Sequence, residues 1–396
     1  MANSDIKPKN KPIERSRFDI RTLTMVVILV ILWFVFTLLT SNGLKNISGS
    51  FLSYRNISNL ARQMTVVGII GCSMVLVIVS GGIDLSAGSV AGFIGCTAAS
   101  LQVFYNIGTF YTIIISLILG VFIYLMLGSL IAYTQVAPFI VTLGGQLVFK
   151  GLVLAVTRGA TIAPLKPSLK YFGQAYINTK EGYIIALLIL LMYLVYKLQS
   201  KKNKDRLGIQ DESIKNVIFQ WGIISIGVLL LVFILNSYRG IPIPVLIMLL
   251  LAIFLTLIAE KTVFGRSIYA IGGNIDAAIY SGIKVRRNLV LVYIIHGIFV
   301  AIAGLILTAR LDAGTATVTN MGLELDAIAA AVIGGTSMSG GVGKILGALL
   351  GSLIMASIDN GMSMKNLDAF WQYIVKGIIL VGAVWFDIYT RNRRKI

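Results

Sequence analysis

From Leu85 to Phe149 the chain carries no Asp, Glu, Lys or Arg. Such a run is too long for one crossing of a bilayer and long enough for three. Backbone groups in lipid must be hydrogen-bonded within their own segment, and the alternating pattern of barrel strands is missing, so helices are predicted. The whole chain is 57% hydrophobic and only 13% charged, which excludes an ordinary soluble domain. The sequence therefore predicts an all-α polytopic membrane protein.

Further apolar runs bring the prediction to about 12 transmembrane helices. They are placed near 22–40, 64–80, 85–104, 110–133, 138–157, 184–197, 217–236, 242–259, 288–309, 325–338, 344–360 and 371–387. All belong to one predicted transmembrane domain, 22–387. The pair at 184–236 can be removed without changing the orientation of the downstream spans, so we interpret it as a helical hairpin inserted into a ten-span core.

The distribution of basic residues predicts the orientation of the chain. With the N-terminus inside, the predicted cytoplasmic pieces hold 22 Lys and Arg and the outside pieces 11. This asymmetry favours an N-in, C-in topology. It makes 1–21 and 388–396 cytoplasmic basic tails and 260–287 a cytoplasmic loop. The net charge of +18 is then a topological feature, and no nucleic-acid partner is expected.

The loop 260–287 contains one short patterned helix. Asn274 is a good N-cap, Asp276 lies in the first turn, and Gly282 can end the helix in a left-handed conformation. A helix of about two turns is marginal alone and needs a surface to dock against. That surface is either another subunit or the membrane domain of the chain itself, and the pattern leaves both open.

A first polar break, SGGIDLSAGS at Ser80–Ser89, interrupts two apolar runs. Non-helical backbone at membrane depth survives only where protein or water covers it, and an ionisable residue there is a functional candidate. Asp84 is that residue. It either caps the next helix through the amides of Ser86 or Ala87, or takes a direct part in a pathway.

A second break, GGTSMSGGVGKILG, covers Gly334–Gly347. It is not a Walker motif, because the first glycine of that motif would fall at Met338. Gly347 and Gly351 form a small-xxx-small pair, for which close helix packing is the favoured use.

The remaining reactive residues do not predict an enzyme. His296 is the single histidine and lies in an apolar span, where a hydrogen-bonded packing role is favoured. Cys72 and Cys96 lie in apolar runs and are expected to be buried and inert. No metal site and no Ser-His-Asp arrangement can be built from these residues.

Four segments, in this order, resemble the membrane permeases of the ribose/xylose-type monosaccharide ABC importers. They are SGGIDLSAGS, GRSIYAIGGNIDAAIYSGIKV, ELDAIAAAVIGGTSMSGGVGKILGALLGSLIMASIDNGMSM and FWQYIVKGIILVGAVWFD. The resemblance covers nearly the whole chain. The inserted hairpin and the ending MASIDNGMSMKNLDAFWQYIVKG are similar to the D-xylose branch, whereas Gly82 before IDLS is similar to the ribose branch.

The resemblance implies a permease of the bacterial cytoplasmic membrane that pairs with a second copy of itself. It implies a cytoplasmic ATPase that uses ATP and Mg, an extracytoplasmic sugar-binding protein, and no cofactor on this chain. The loop 260–287 would couple to the ATPase, with Arg286 and Arg287 available to acidic groups. The implied contact residues are Gly265, Arg266, Gly272, Gly273, Asn274, Ala277, Ala278, Ser281 and Gly282.

A neutral sugar such as D-xylose, the favoured substrate, needs hydrogen-bonding side chains in a wet pathway but only weak binding. The candidates near the breaks are Asp84, Ser86, Asn320, Thr336, Ser337 and Asn360. An ion-coupled secondary transporter of a small polar solute is the alternative, because such proteins also use broken helices. Scarce intramembrane charge and the patterned cytoplasmic helix favour the ATP-driven importer.

Overall fold

The computed structural model describes residues 20–41, 51–206 and 213–392. Within them the chain forms fifteen α-helices and one two-stranded sheet. The elements are α1 Ile20–Thr40, α2 Tyr54–Val79, α3 Ala87–Val103, α4 Thr109–Thr134, α5 Pro138–Thr157, α6 Pro167–Gln174, β1 Tyr176–Ile177, α7 Thr179–Arg206, α8 Ile214–Asn236, β2 Ile241–Pro242, α9 Ile243–Lys261, α10 Val263–Gly273, α11 Ile275–Tyr280, α12 Val285–Leu311, α13 Leu323–Ile333, α14 Ile345–Met364 and α15 Ala369–Asn392.

The prediction of an all-α polytopic membrane protein is confirmed. Nine of the described helices are long and apolar enough to cross a membrane, and α3 and α15 contain shorter apolar stretches. Each predicted span coincides with a helix, while the amphipathic α6 was not predicted. The basic tail 1–21 lies outside the described residues except for its last two, as does 393–396 of the C-terminal tail.

The core is built around α2, which α9, α12, α13 and α14 surround. Glycines allow these helices to approach closely. A Cβ on Gly351 would lie 2.0 Å from the carbonyl oxygen of Ala330, and one on Gly347 would lie 2.0 Å from that of Gly334. The predicted packing role of Gly347 and Gly351 is therefore confirmed, and it joins α13 to α14.

The hairpin of α7 and α8 lies at the periphery. Trp221 donates its indole N–H to the Leu190 carbonyl oxygen at 2.9 Å, which joins the two helices. The antiparallel pairing of β1 and β2 places Ile177 opposite Ile241, so the chain enters and leaves the hairpin at one point. The hairpin begins at Thr179 rather than at residue 184, and its status as an insertion stays a prediction.

Two helices of the interior are too short to cross the hydrocarbon core of about 30 Å. At 1.5 Å per residue, the 17 residues of α3 extend about 26 Å and the 11 residues of α13 about 16 Å. The segment predicted to span at 325–338 thus forms a half-length helix. Both helices follow irregular backbone, the break at Ser80–Ser89 for α3 and a 3-10 helix, Ala316–Asn320, for α13.

Candidate functional site

The loop 260–287 forms two consecutive short helices, α10 and α11, which together we call the coupling segment, residues 263–282. Thr262 caps α10 by accepting the Gly265 amide at 3.0 Å. Asn274 ends α10 and caps α11, with its side-chain oxygen 3.0 Å from the Ala277 amide. Gly282 has a φ of +78° and terminates α11. The capping roles predicted for Asn274 and Gly282 are confirmed.

One face of α11 exposes large apolar side chains. Ile275, Ile279 and Tyr280 are 48%, 54% and 90% exposed, whereas Ile271 and Ala278 are each 3% exposed. The apolar residues of the coupling segment are thus divided, because Ile271 and Ala278 pack inward and the other two isoleucines point outward. Tyr280 was not singled out by the sequence analysis.

The nine residues expected to form the ATPase contact likewise divide into residues that pack inward and residues that are exposed. Gly265, Gly272 and Ala278 pack against other parts of the chain itself, and their direct contact with an ATPase stays a prediction. A Cβ on Gly265, for example, would lie 2.1 Å from the Ala259 carbonyl oxygen. The exposed members of the set are Arg266, Gly273, Asn274, Ala277, Ser281 and Gly282.

The coupling segment contacts the end of α2 and the second glycine-rich break at a point we call the glycine junction, formed by Val79, Gly272 and Gly341. The Gly341 amide donates to the Val79 carbonyl oxygen at 2.9 Å. A Cβ on Gly272 would lie 1.6 Å from that same oxygen. Tyr269 donates to the Gly343 carbonyl oxygen at 2.9 Å, and burial, followed by the charge of Glu260, raises its pKa. The three backbones therefore touch, and α10 packs directly against the end of α2 and the second break.

Asp84 lies at the centre of a fully buried polar cluster with Ser73, Tyr124 and His296. One carboxylate oxygen accepts the Ser86 amide at 2.7 Å and the Ser86 hydroxyl at 2.6 Å. The other accepts Tyr124 at 2.5 Å and lies 3.0 Å from His296 Nε2. Asp84 therefore accepts the Ser86 amide, as expected of a helix cap. It also binds Tyr124 on α4 and His296 on α12. The hydrogen-bonded packing role predicted for His296 is confirmed.

Both imidazole nitrogens of His296 are hydrogen-bonded within this cluster. His296 Nδ1 lies 2.8 Å from the Ser73 hydroxyl, which is itself 3.0 Å from the Ile70 carbonyl oxygen. Nε2 donates to the Asp84 carboxylate, because an ionised carboxylate can only accept. The cluster thereby joins α2 and α12 to the first break.

The structure does not bring the six predicted pathway residues together. Asp84 and Ser86 are bonded to each other. Asn360 accepts from Asn56 at 2.7 Å and thereby joins α14 to α2. Thr336 is buried with a hydroxyl lacking a partner among the described residues, and Ser337 is 5% exposed. Asn320 is exposed, and its carbonyl oxygen accepts from Tyr373 at 2.8 Å.

Two polar pairings were missed by the sequence analysis. Gln146 donates to Glu324 at 2.8 Å across α5 and α13. Lys376 on α15 lies 2.8 Å from Asp326 and 2.9 Å from Asp359. A charged residue within an apolar segment is a sequence signal for function or pairing. It does not identify the partner, because the partners here are remote in the chain. Within the described residues no group of three or more His, Cys, Asp or Glu could hold a metal ion.

Comparisons with known proteins give a consistent result. A family model described as branched-chain amino acid transport system / permease component matches residues 56–202 and 202–384. The xylose transport system permease protein of Escherichia coli strain K12 is 43% identical over 95% of this chain and 93% of that protein. The Haemophilus influenzae protein of the same name is 43% identical over 88% and 92%.

More distant relatives carry a different sugar in their names. The ribose import permease protein of Bacillus subtilis strain 168 is 34% identical over 85% of this chain and 86% of that protein. No solved structure matches the chain.

Proposed function

The chain belongs to the branched-chain amino acid transport system / permease component family, and from this premise we propose that it is the membrane-spanning subunit of an ATP-driven monosaccharide importer. D-xylose is the favoured sugar, because relatives with 43% identity over at least 88% of the chain are xylose permeases by name. The protein lies in the bacterial cytoplasmic membrane. It provides the route for the sugar and takes its energy from a separate subunit.

The observation that carries this proposal is the coupling segment. A six-residue helix that exposes two isoleucines and a tyrosine is marginal alone and has apolar surface to bury. A cytoplasmic ATPase that binds and hydrolyses ATP with Mg would cover that surface. The exposed cations of Arg266, Arg286 and Arg287 lie on the same loop and can pair with acidic groups of the partner.

The glycine junction explains how the partner's motion would reach the membrane domain. ATP binding closes the ATPase pair and moves each coupling segment as a rigid body. Because Gly272 touches Val79 and Gly341, this movement displaces the end of α2 and the loop that leads back to α13. An ion-coupled transporter has no evident use for such a contact, so the alternative is less well supported.

The assembly requires further partners. An extracytoplasmic binding protein delivers the sugar, and a second copy of the chain completes the route, so that the sugar passes between two permeases. Asp84 and Ser86 hold the first break in shape. The remaining pathway candidates are proposed to make weak polar contacts with the sugar or to support the second break and its flanking helices. They are Thr336, Ser337, Asn320 and Asn360.

The test of the coupling role compares two exposed aromatic residues. Tyr280 on α11 is 90% exposed and Phe219 on α8 is 70% exposed. In proteoliposomes with the cognate ATPase and xylose-loaded binding protein, Tyr280→Ala should lower ATP-dependent xylose uptake at least tenfold, because aromatic residues dominate interface energies. Phe219→Ala should leave uptake unchanged, since its exposed side chain lies on the peripheral hairpin.

Two results would contradict the proposal. Xylose uptake by vesicles that contain the permease without the ATPase, driven by an ion gradient, would favour a secondary transporter. Full coupling in Tyr280→Ala, with the ATPase still co-purifying at wild-type yield, would remove the coupling role of α11.

A further inference from the structure

The N-termini of the two short helices α3 and α13 meet inside the protein. α3 begins at Ala87 and α13 at Leu323. A Cβ on Gly88 would lie 2.0 Å from Glu324 Oε2 and 3.3 Å from the Glu324 amide nitrogen. The Glu324 carboxyl group therefore occupies the space that any side chain at Gly88 would need.

Helix geometry places this meeting point near the middle of the membrane domain. Gly71 on α2 faces Ala327 on α13 and lies eight residues before Val79, about 12 Å from the end of α2 at the glycine junction. Glu324 lies three residues before Ala327, about 4.5 Å farther from that end. Since the 26 residues of α2 extend about 39 Å, Glu324 lies close to half its length.

Glu324 is buried, with 4% of its surface exposed, yet only one of its carboxyl oxygens is satisfied. Oε1 accepts from Gln146 Nε2 at 2.8 Å. The carboxyl group also lies near its own backbone amide, but Oε2 meets no donor in hydrogen-bond geometry among the described residues. A buried acceptor without a donor is costly, and such groups are rare in folded proteins. An oxygen left in this state is available to a donor from outside the chain.

The second member of the site is accessible. Gln146 is half-buried on α5 and is followed one turn later by Lys150, whose charge attracts Glu324. The opposite side of α5 is uncovered: Leu147 is 66% exposed, and a Cβ on Gly144 or Gly151 would meet nothing within 4 Å. A single helix thus separates the Glu324 carboxyl group from an open surface of the chain.

We propose that Glu324 and Gln146 form a transit site for the hydroxyl groups of the transported neutral sugar; this inference rests on the proposed function. A sugar hydroxyl donates to Glu324 Oε2, and a neighbouring hydroxyl exchanges hydrogen bonds with the Gln146 amide. Two polar side chains without an aromatic platform bind weakly, as a site on a route must, because the sugar has to leave again.

The position of the site also connects it to the coupling segment. α13 carries Glu324 near its N-terminus and leads at its other end into the second break, whose Gly341 touches Gly272. A displacement of α10 therefore moves α13 along its axis. Such a shift would alter the distance between Glu324 and Gln146 and release the sugar.

The experiment measures ATP-dependent uptake of D-xylose and of its 2-deoxy, 3-deoxy and 4-deoxy analogues in proteoliposomes. The ATPase and a saturating amount of sugar-loaded binding protein are the same for all variants, so the selectivity of the binding protein cancels. Glu324→Gln should lower xylose uptake about tenfold, through loss of a hydrogen bond to a carboxylate. Uptake of the analogue that lacks the contacted hydroxyl should stay at the rate of the wild-type chain for that analogue.

Asp326→Asn is the matched control, because it is a comparable change two residues away on α13 but at a carboxylate that faces Lys376. It should change uptake of all four sugars by one common factor. If Glu324→Gln fails to insert into the membrane, uptake by Gln146→Met tests the proposal instead, because position 146 is accessible. The same selective loss of uptake is expected for this variant.

An equal effect of Glu324→Gln on all four sugars, or no effect, would overturn the transit site and assign Glu324 a structural role. Failure of the wild-type chain to take up xylose with ATP would instead overturn the proposed function.

Discussion

At the scale of single residues, buried polar groups determine how the first break is held. Asp84 and His296 are fully buried and lie on elements separated by more than 200 residues. Removing one partner of such a pair leaves the other polar group buried without its hydrogen bond, which typically costs about 1–3 kcal/mol and more for a charged group. A fully satisfied cluster, by contrast, fixes one arrangement of the helices around it.

His296→Leu should lower the free energy of unfolding by about 3 kcal/mol, because the Asp84 carboxylate loses a hydrogen-bond donor while remaining buried. The thermal midpoint in detergent micelles measures this change. Ser73→Ala is the graded control and should cost only about 1 kcal/mol, the value of one neutral hydrogen bond. Equal midpoints for His296→Leu and the wild type would show that the contact between Asp84 and His296 does not stabilise the fold.

At the scale of elements, the coupling segment owes its shape to caps and to close backbone contact. Neither α10 nor α11 is long enough to be stable alone. Thr262, Asn274 and Gly282 satisfy their ends, and the glycine junction holds α10 against α2. The two adjacent glycines that end α10 differ in surroundings, since Gly272 touches Val79 while a Cβ on Gly273 would meet nothing within 4 Å.

Gly272→Ala should therefore destabilise the protein by about 2 kcal/mol, as overpacking of a close contact does. It should also lower the ATPase activity stimulated by the binding protein, because in the proposed mechanism the junction transmits the movement of α10. Gly273→Ala should remain within about 0.5 kcal/mol of the wild type. Thermal midpoints of the two variants, measured in parallel, test this difference, and equal midpoints would contradict the contact.

At the scale of the whole molecule, the hairpin of α7 and α8 is the most separable part. In each of its two helices, only 17% of the residues in the most apolar stretch are buried. The pairing of β1 with β2 holds the two ends of the hairpin together. Removing two crossings preserves the orientation of the downstream helices. These features define the ends of a deletion more closely than the sequence did, because the register of β1 and β2 fixes which two residues are to be joined.

Deletion of residues 179–239 joins Asn178 directly to Gly240 between the paired Ile177 and Ile241. Asn-Gly is the favoured two-residue connection of a β-hairpin, so the shortened chain should close without strain. It should insert, elute as one species in size-exclusion chromatography and retain ATP-dependent uptake. Deletion of 179–212 alone is the control and should fail, because one lost crossing reverses the downstream helices. Loss of insertion in both variants would show that the hairpin is part of the core.

Much of the fold could be predicted from local signals. The apolar runs predicted the helices, and the caps at Asn274 and Gly282 follow from residue types whose conformational preferences act within one turn. The packing of Gly351 follows from the same local logic. Pairing between distant segments could not be predicted: Asp84 with His296, Glu324 with Gln146, and Gly272 with Val79. The hydropathy of a residue indicates whether it avoids water, but it does not identify the residue with which it makes contact.

Burial in lipid and local backbone preference act on consecutive residues, so the sequence was sufficient to predict a helical membrane protein with polar breaks and a short capped helix between two apolar runs. The fold was needed to show that α13 is about half as long as a membrane crossing, that Gly272 faces inward while Tyr280 faces outward, and that one oxygen of Glu324 is left unsatisfied. Those features depend on how close two backbones can come. That distance is set by the packing of all the helices together.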